Sequence, residues 1–180
     1  MNFLENFKDI HTFLFDVDGV LTNNEILILD DGKLLRKMNV RDGYGLRKAV
    51  QQGYRVGIIT GGKSAGVMEG LKKLGIRDIY AGIADKTDAY LNFIRIHDID
   101  PSGVLYMGDD LPDYLPMCRV GLPACPKDAV AEIRKVARYI SPFKGGEGCV
   151  RDVIEKVLKI QGNWPVVKSA VGSGQSSGGN

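Results

Sequence analysis

The chain has 180 residues, of which 44% are apolar and 26% charged, and its formal net charge is +2. This length and balance predict one globular domain with a sizeable core. The small net charge gives no indication of a nucleic-acid-binding surface. No apolar run approaches a membrane-spanning helix in length, and residues 1–11 lack the basic start and apolar core of a secretion signal.

The three cysteines, Cys118, Cys125 and Cys149, are odd in number and lack the paired spacing of a zinc site. We therefore expect reduced thiols, which are typical of a cytoplasmic protein.

Strand and helix patterns alternate along the chain after a short helical turn within residues 1–10. The predicted strands cover residues 11–16, 54–60, 78–80, 104–107, 120–122 and 139–140. The predicted helices cover residues 42–52, 64–74, 86–97, 112–118, 128–136 and 147–160. This alternation predicts an α/β fold with a doubly wound parallel sheet of the Rossmann-like kind.

Two extended runs, residues 25–29 and 33–40, flank an Asp-Gly turn directly after the first predicted strand. Such a pattern predicts a β-hairpin. Because the hairpin follows the end of a buried strand, we expect it to stand over that edge of the sheet as a flap.

All predicted elements fall within residues 1–160, which we expect to form a single domain. Residues 161–180 form a tail that becomes rich in glycine and serine after Val171. This composition cannot bury much apolar surface, so we predict that the tail is flexible.

The most informative stretch is FLFDVDGVLT at residues 13–22, in which an apolar strand runs into Asp16 and Asp18. Ligands bind at the carboxyl ends of strands in open α/β sheets. Side chains alternate along an extended backbone, so these two carboxylates point roughly the same way. Like charges held this close need a cation, a shared proton or a hydrogen-bond cage. A solvated turn that caps a helix is the alternative interpretation.

Other polar groups follow further predicted strands, namely Thr60, Lys86 and the acidic group Asp109, Asp110 and Asp113. Several carboxylates at one sheet edge suit Mg²⁺, which prefers oxygen ligands. A lysine, a threonine hydroxyl and Gly-rich turns suit a phosphate. Since an aspartate can attack phosphorus and form an aspartyl-phosphate, the set predicts phosphoryl-transfer chemistry.

Two other phosphatase chemistries do not fit the sequence. A cysteine nucleophile in a phosphate loop needs an arginine six positions later, and no cysteine here has one. The two histidines, His11 and His97, lie at a strand start and a helix end, where a structural role is expected. No elbow motif surrounds a serine, which argues against a Ser-His-Asp triad.

The ordered motifs DVDGVLT, IITGG, Lys86 and GDDLPD resemble the haloacid dehalogenase superfamily over nearly the whole predicted domain. The resemblance implies that Asp16 is the nucleophile, and that Asp18 protonates the leaving oxygen and then activates water. It also implies that Thr60 binds the phosphoryl group and that Lys86 neutralises it.

The same resemblance implies a magnesium site formed by Asp16, Asp109 and the backbone carbonyl of Asp18. Asp110 and Asp113 would lie behind these ligands and support them. For each residue taken singly, a helix cap or a surface charge is the alternative.

Residues 39–47 (NVRDGYGLR), the early hairpin and the GGEG motif with Arg151 resemble a narrower family, the capless 3-deoxy-D-manno-octulosonate 8-phosphate phosphatases. The segments in which a cap would be inserted hold only the hairpin, or one helix and one strand. The resemblance implies an Mg²⁺-dependent hydrolase of that phosphorylated sugar acid, working in the cytoplasm in lipopolysaccharide biosynthesis. It also implies a homotetramer in which the hairpin or tail of a neighbouring subunit lies near the site.

The family resemblance also implies a set of substrate contacts, some at the catalytic motifs and others around the start of the first predicted helix, residues 42–52. The implied contacts are Asp18, Asn39, Val40, Arg41, Asp42, Gly43, Arg47, Gly61, Lys63 and Lys86. Arginine suits a substrate carboxylate because its guanidinium binds both oxygens.

The sequence departs from the family at positions 62 and 70, where the family usually has arginine and this chain has Gly62 and Gly70. The departure keeps open a related substrate, a nonulosonate 9-phosphate. Lys63 could take over one of the missing contacts.

Two interpretations of other classes also remain open. Residues 57–64 fit the pattern GxxxxGK[ST] of a nucleotide-binding phosphate loop, although residues 58 and 59 belong to the predicted strand. A non-catalytic, receiver-like domain could also keep these aspartates, the threonine and the lysine around Mg²⁺.

Overall fold

The computed structural model describes residues 3–165. Its strands are β1 (Thr12–Phe15), β2 (Leu27–Ile28), β3 (Leu34–Leu35), β4 (Arg55–Thr60), β5 (Asp78–Ala81), β6 (Val104–Met107), β7 (Leu122–Cys125) and β8 (Tyr139–Ile140). Its α-helices are α1 (Val40–Gln51), α2 (Ala65–Lys73), α3 (Lys86–His97), α4 (Tyr114–Met117), α5 (Ala131–Val136) and α6 (Cys149–Ile160). Short 3₁₀ turns cover Phe3–Phe7, Pro101–Gly103 and Leu111–Asp113.

Six strands form one parallel sheet in the order β5-β4-β1-β6-β7-β8, with β1 near its centre. The ladder between β1 and β6 continues past the end of β1, because the Asp16 N–H donates to the Met107 carbonyl at 3.1 Å. The carboxyl ends of β1, β4 and β6 therefore lie side by side.

Helices cover both faces of this sheet, as the alternation of strands and helices predicts. On β1, Phe13 and Phe15 pack into a core with residues of α1, α2 and α6, whereas Leu14 packs into a second core with residues of α3, α4 and α5. Complete burial of one such side chain contributes about 1.5–3 kcal/mol to folding. The burial of β1 on both faces fixes the position of the residues that follow it.

The predicted hairpin is present as β2 and β3, which pair antiparallel. Its paired strands are only two residues long each, and their side chains are exposed, with Leu27 at 62% and Ile28 at 69%. Across the described residues, no insertion between the elements is large enough to form a cap domain. The fold is therefore a capless α/β architecture with the hairpin directly after β1.

The first residues of the predicted tail contact the domain. The Gln161 side chain donates to the carbonyls of Phe7 and Ile10, at 3.1 and 2.8 Å, and the Arg151 guanidinium lies over the Trp164 ring. The rest of the predicted tail, residues 166–180, lies outside the described residues. A domain boundary at residue 160 stays a prediction.

Within residues 3–165, none of the helices combines the length and apolarity that a membrane span requires.

Candidate active site

A cavity of about 270 Å³ opens at the carboxyl ends of β1, β4 and β6. The residues that line it come from all four sequence motifs. They are Asp16, Asp18, Asn24, Thr60, Gly61, Gly62, Ile83, Ala84, Lys86, Asp109, Asp110, Pro112 and Asp113. The fold thus brings together catalytic and acidic residues that the sequence places far apart.

Lys86 is the centre of a buried charge network in this cavity. It is the first residue of α3, and its ammonium group lies 2.9 Å from Asp16 Oδ2 and 2.8 Å from Asp113 Oδ1. Burial by itself lowers the pKa of Lys86, but the carboxylates of Asp113 and Asp16 outweigh it and raise that pKa. Lys86 is therefore a permanent cation beside the predicted nucleophile.

Asp113 holds Lys86 in place and is itself fully buried. Its Oδ1 also accepts a hydrogen bond from the Tyr106 hydroxyl at 2.8 Å, and its Oδ2 accepts from the Asp109 backbone N–H at 3.3 Å. A Cβ at Gly108 would lie 2.3 Å from the Asp113 Cβ, so only glycine permits this approach. Asp113 thus contacts Lys86, Tyr106 and the Asp109 backbone at once, and its support of the metal ligands stays a prediction.

Asp109 follows β6 and carries the most informative atom of the cavity. Its Oδ2 accepts from the Asn24 side-chain amide at 2.8 Å, whereas its Oδ1 is buried and has no hydrogen-bond partner among residues 3–165. Gly19, at φ +86°, allows the approach of the chain, because a Cβ there would lie 2.0 Å from Asp109 Oδ2. A buried carboxylate oxygen without a partner is costly unless a cation binds it.

One carboxylate oxygen from each of Asp16, Asp109 and Asp113 lies within 4.8 Å of the other two. Burial raises the pKa of Asp16 to about 7, helped by the Asp113 carboxylate and opposed by Lys86. Burial also raises the pKa of Asp109 to about 6, opposed by the Asn24 hydrogen bond. Three carboxylates against one lysine leave excess negative charge, so the oxygen-rich set fits a hard divalent cation such as Mg²⁺.

Thr60 ends β4 and lines the same cavity. Its hydroxyl oxygen accepts from the Gly62 backbone N–H at 3.1 Å, which leaves the hydroxyl proton free to be donated. A phosphate oxygen in the cavity is a suitable acceptor. Asp110 also lines the cavity, but its side chain accepts from the Leu111 N–H at 2.8 Å and caps the turn that follows.

Asp18 lies on the outer side of the cavity and is bound by an arginine of the hairpin. Arg36 Nε donates to Asp18 Oδ1 at 2.6 Å, and Arg36 Nη2 donates to Asp18 Oδ2 at 3.3 Å. The Asp18 carboxylate is not part of the cluster formed by Asp16, Asp109 and Asp113. Its contact with the metal, implied through the backbone carbonyl, stays a prediction.

The residues predicted from the start of α1 do not line this cavity. The Asn39 side chain caps α1 by accepting from the Arg41 N–H at 2.8 Å, and it donates to the Gly146 carbonyl at 3.2 Å. Val40, Arg41 and Arg47 are exposed on the surface of α1.

The two other predicted contacts of this segment lie inside the domain. Asp42 is buried, with 1% of its surface exposed, and accepts from the Arg151 N–H at 2.6 Å. Gly43 faces the side chain of Leu74. Within one chain, the start of α1 therefore has a structural role, and substrate binding by residues 39–47 stays a prediction.

Gly61, Gly62 and Lys63 form the turn between β4 and α2. Gly61 and Gly62 line the aspartate cavity, and Lys63 lines a larger neighbouring cavity of about 720 Å³. A Cβ at Gly70 would meet nothing within 4 Å, so close packing does not require that glycine.

Three residues of the site were missed by the sequence analysis: Asn24, Arg36 and Tyr106. Asn24 adopts a left-handed conformation, with φ 61°, and only the folded turn after β1 directs it towards Asp109. Tyr106 is part of β6, where the sequence indicates only a buried strand residue.

The pattern of a nucleotide-binding loop at residues 57–64 has a simpler explanation. β4 extends to Thr60 and α2 begins at Ala65, so half of the pattern is strand. Four residues remain for the turn, which is too short to wrap a chain of phosphates.

Comparison with known proteins agrees with this geometry, although no protein-family model matches the chain. The chain is 38% identical over 161 residues to the 3-deoxy-D-manno-octulosonate 8-phosphate phosphatase KdsC of Escherichia coli K12, covering 89% of this chain and 86% of the relative. It is 35% identical over 158 residues to the KdsC of Yersinia pestis, covering 88% and 84%.

Among solved structures, the 3-deoxy-D-manno-octulosonate 8-phosphate phosphatase of Moraxella catarrhalis superposes with a TM-score of 0.86 at 36% identity, covering 89% of this chain and 92% of that one. That structure is a complex with a magnesium ion, a phosphate ion and a KDO molecule. The capless fold, the converging motifs and these similarities lead to one conclusion. The chain belongs to the 3-deoxy-D-manno-octulosonate 8-phosphate phosphatase family of the haloacid dehalogenase superfamily.

Proposed function

We propose that the chain is an Mg²⁺-dependent phosphomonoesterase that hydrolyses 3-deoxy-D-manno-octulosonate 8-phosphate to the free sugar acid and phosphate. The observation that carries this proposal is the position of Lys86 between Asp16 and Asp113, beside the unpartnered oxygen of Asp109. The substrate is supported by the relatives in the family, since they carry this activity in their names.

In the first half of the reaction, an oxygen of Asp16 attacks phosphorus and forms an aspartyl-phosphate. The bond between phosphorus and the sugar oxygen breaks, and Asp18 donates a proton to that leaving oxygen. Lys86 and the Thr60 hydroxyl stabilise the negative charge on the phosphoryl oxygens.

In the second half, Asp18 removes a proton from a water molecule, and the resulting hydroxide attacks phosphorus. The bond between phosphorus and Asp16 breaks, which releases inorganic phosphate and restores the carboxylate. Asp18 ends with the proton that it lost in the first half, so proton transfer is balanced over one cycle.

Asp16, Asp109 and the backbone carbonyl of Asp18 would hold Mg²⁺. When bound, the ion supplies positive charge that offsets the carboxylates and the phosphoryl oxygens. Asp110 and Asp113 would support it from behind.

A screen of phosphate release tests the proposal. Purified protein is incubated with 3-deoxy-D-manno-octulosonate 8-phosphate, a nonulosonate 9-phosphate and neutral sugar phosphates, each with and without Mg²⁺. We expect the highest kcat/KM for the octulosonate, and only with Mg²⁺. Preference for the nonulosonate would transfer the proposal to that substrate, and stable phosphorylation of Asp16 without turnover would favour a receiver-like domain.

We further propose that the protein is a homotetramer in which the hairpin or tail of one subunit lies near the site of another. The exposed side chains of Leu27, Ile28, Leu34 and Leu35 on the hairpin support this, since apolar patches of this kind mark association surfaces. Light scattering of the full chain and of the Ile28→Ser variant tests it. A monomeric full chain would contradict it.

Arg41 and Arg47 do not line the aspartate cavity of their own chain, which is consistent with a contact to the substrate across such an interface. Truncation after Gly162 tests the role of the tail: changed kinetics would support its contact with a neighbouring site, and unchanged rates would contradict that contact.

The cytoplasmic location is also a proposal, supported by the unpaired state of Cys118, Cys125 and Cys149.

A further inference from the structure

Arg36 is a nearly buried cation at the border between two cavities. Its side chain is only 9% exposed. It lines the larger cavity of about 720 Å³, while its partner Asp18 lines the aspartate cavity. A Cβ at Gly62 would lie 3.7 Å from Arg36 Nη2, so the guanidinium also closes over the turn after β4. Arg36 therefore faces any molecule that extends from the aspartate cavity into the larger one.

The bond to Asp18 leaves part of this guanidinium free. Arginine has five N–H donors, and Asp18 engages only those on Nε and Nη2. Within residues 3–165 no acceptor is bound to Nη1, and this nitrogen is not sealed from solvent. Arg36 can therefore keep its contact with Asp18 and still donate two hydrogen bonds to a ligand.

The larger cavity is suited to an anionic group. Lys33, Arg36 and Lys63 line it, together with apolar, glycine and serine residues and no carboxylate. Asp31 already pairs with Lys33 at 2.6 Å, whereas no described carboxylate lies within salt-bridge distance of Lys63. Two cations, Arg36 and Lys63, thus line this cavity without a full set of acceptors, one next to the hairpin and one from the turn before α2.

The substrate has a second anionic group that must lie outside the aspartate cavity. In an octulosonate 8-phosphate, the phosphate and the carboxylate occupy opposite ends of an eight-carbon chain. With the phosphate beside Asp16 and Lys86, the rest of the molecule extends past Asp18. A planar guanidinium binds a carboxylate through two parallel hydrogen bonds, which a lysine cannot do.

We propose that Arg36 binds the carboxylate of the sugar-acid substrate and selects sugar acids over neutral sugar phosphates. This inference rests on the proposed function, since it places the phosphate in the aspartate cavity. It assigns to the hairpin of the same chain a direct part in substrate recognition. Lys63, which lines the same cavity, adds positive charge to this carboxylate-binding region.

The test compares kcat and KM for two substrates, 3-deoxy-D-manno-octulosonate 8-phosphate and mannose 6-phosphate, both with saturating Mg²⁺. The second substrate offers a phosphate but no carboxylate. The measured quantity is kcat/KM for the sugar acid divided by kcat/KM for mannose 6-phosphate. For Arg36→Gln we expect this ratio to fall by about 10- to 100-fold, because the hydrogen-bonded ion pair with the carboxylate is lost. The loss should lie mainly in KM for the sugar acid. Arg36→Lys should recover part of the ratio.

Lys37→Gln is the matched control, since Lys37 is the exposed neighbour of Arg36 and also a cation. It should leave the ratio unchanged. An equal loss for both substrates in Arg36→Gln would leave the ratio unchanged and mean that Arg36 acts only through Asp18, which would overturn the inference. Unchanged kinetics for both substrates would overturn it as well. If Arg36→Gln fails to fold, Arg36→Lys carries the same comparison.

Failure of the proposed function is distinguishable, because it appears in the wild-type protein as no release of phosphate from the sugar acid.

Discussion

Two buried aspartates, Asp109 and Asp42, have the same local signature and different surroundings. Each has one buried carboxylate oxygen without a hydrogen-bond partner, and no other buried side-chain atom of residues 3–165 is in that state. Burial raises the pKa of each to about 6. By these measures alone, both are candidates for a functional site.

Their neighbours distinguish them. Asp109 lies at a strand end, within 4.8 Å of two further carboxylate oxygens, and lines a cavity. Asp42 lies on α1 where this helix packs against α6, and it accepts from the backbone N–H groups of Arg151, at 2.6 Å, and Gly148. A raised pKa and an unpartnered oxygen therefore mark burial, whereas several carboxylates that meet at an open cavity mark a cation site.

The largest effect should come from Asp16, which shares the surroundings of Asp109. Asp16→Asn should lower kcat by about 10³-fold or more, because the amide oxygen is a much weaker nucleophile. Asp78→Asn is the matched control, since Asp78 lies at the amino end of β5, on the opposite edge of the sheet. Circular dichroism should show both variants folded; an active Asp16→Asn enzyme would contradict the assignment of the nucleophile.

A smaller effect is expected from Asp113, which is fully buried and binds Lys86. Asp113→Asn should lower kcat by about 10- to 100-fold, because Lys86 loses the carboxylate that positions it. Tyr106→Phe, which removes one hydrogen bond to Asp113, should have a weaker effect. Steady-state kinetics of both variants checks this, and the reverse order of effects would place the positioning role on Tyr106.

The last effect concerns Asp42 and is seen in stability. Its pKa is about 6 when folded and about 4 when unfolded. Because its pKa is raised, Asp42 keeps its proton to higher pH in the folded state than in the unfolded state. Its contribution to the free energy of unfolding is therefore fully present below about pH 4 and lost as pH rises through about 6. Asp42→Asn should remove this loss, which is on the order of 3 kcal/mol.

Urea unfolding between about pH 4 and pH 7 measures how the free energy of unfolding depends on pH in the wild-type protein and in Asp42→Asn. Parallel stability curves for the two proteins would show that Asp42 does not titrate in this range.

The sequence predicts the parallel sheet and the residues at its strand ends, because both depend on where apolar runs occur along the chain. Asp16, Thr60 and Asp109 follow apolar runs, and parallel strands bring such residues to one edge. β7 is less predictable, because it begins at Leu122 and contains Pro123, a residue that usually lies outside strand interiors.

Residues that reach the site through tertiary contacts could not be predicted. Arg36 meets Asp18 only because the hairpin folds back over the cavity, and Asn24 meets Asp109 only through a left-handed backbone. Asn39 and Asp42 have contacts within the chain, to the Arg41 and Arg151 N–H groups, and their substrate contacts, implied by the resemblance, stay a prediction. The Asn39 cap of α1 follows a pattern that sequence could have indicated.

The central claim is that Asp109 is a magnesium ligand and Asp42 is not, and calorimetric titration with Mg²⁺ tests it most directly. Wild type and Asp42→Asn should bind Mg²⁺ with equal affinity, while Asp109→Asn should bind it at least about tenfold more weakly. Undiminished binding by Asp109→Asn, or an equal loss in Asp42→Asn, would contradict the account.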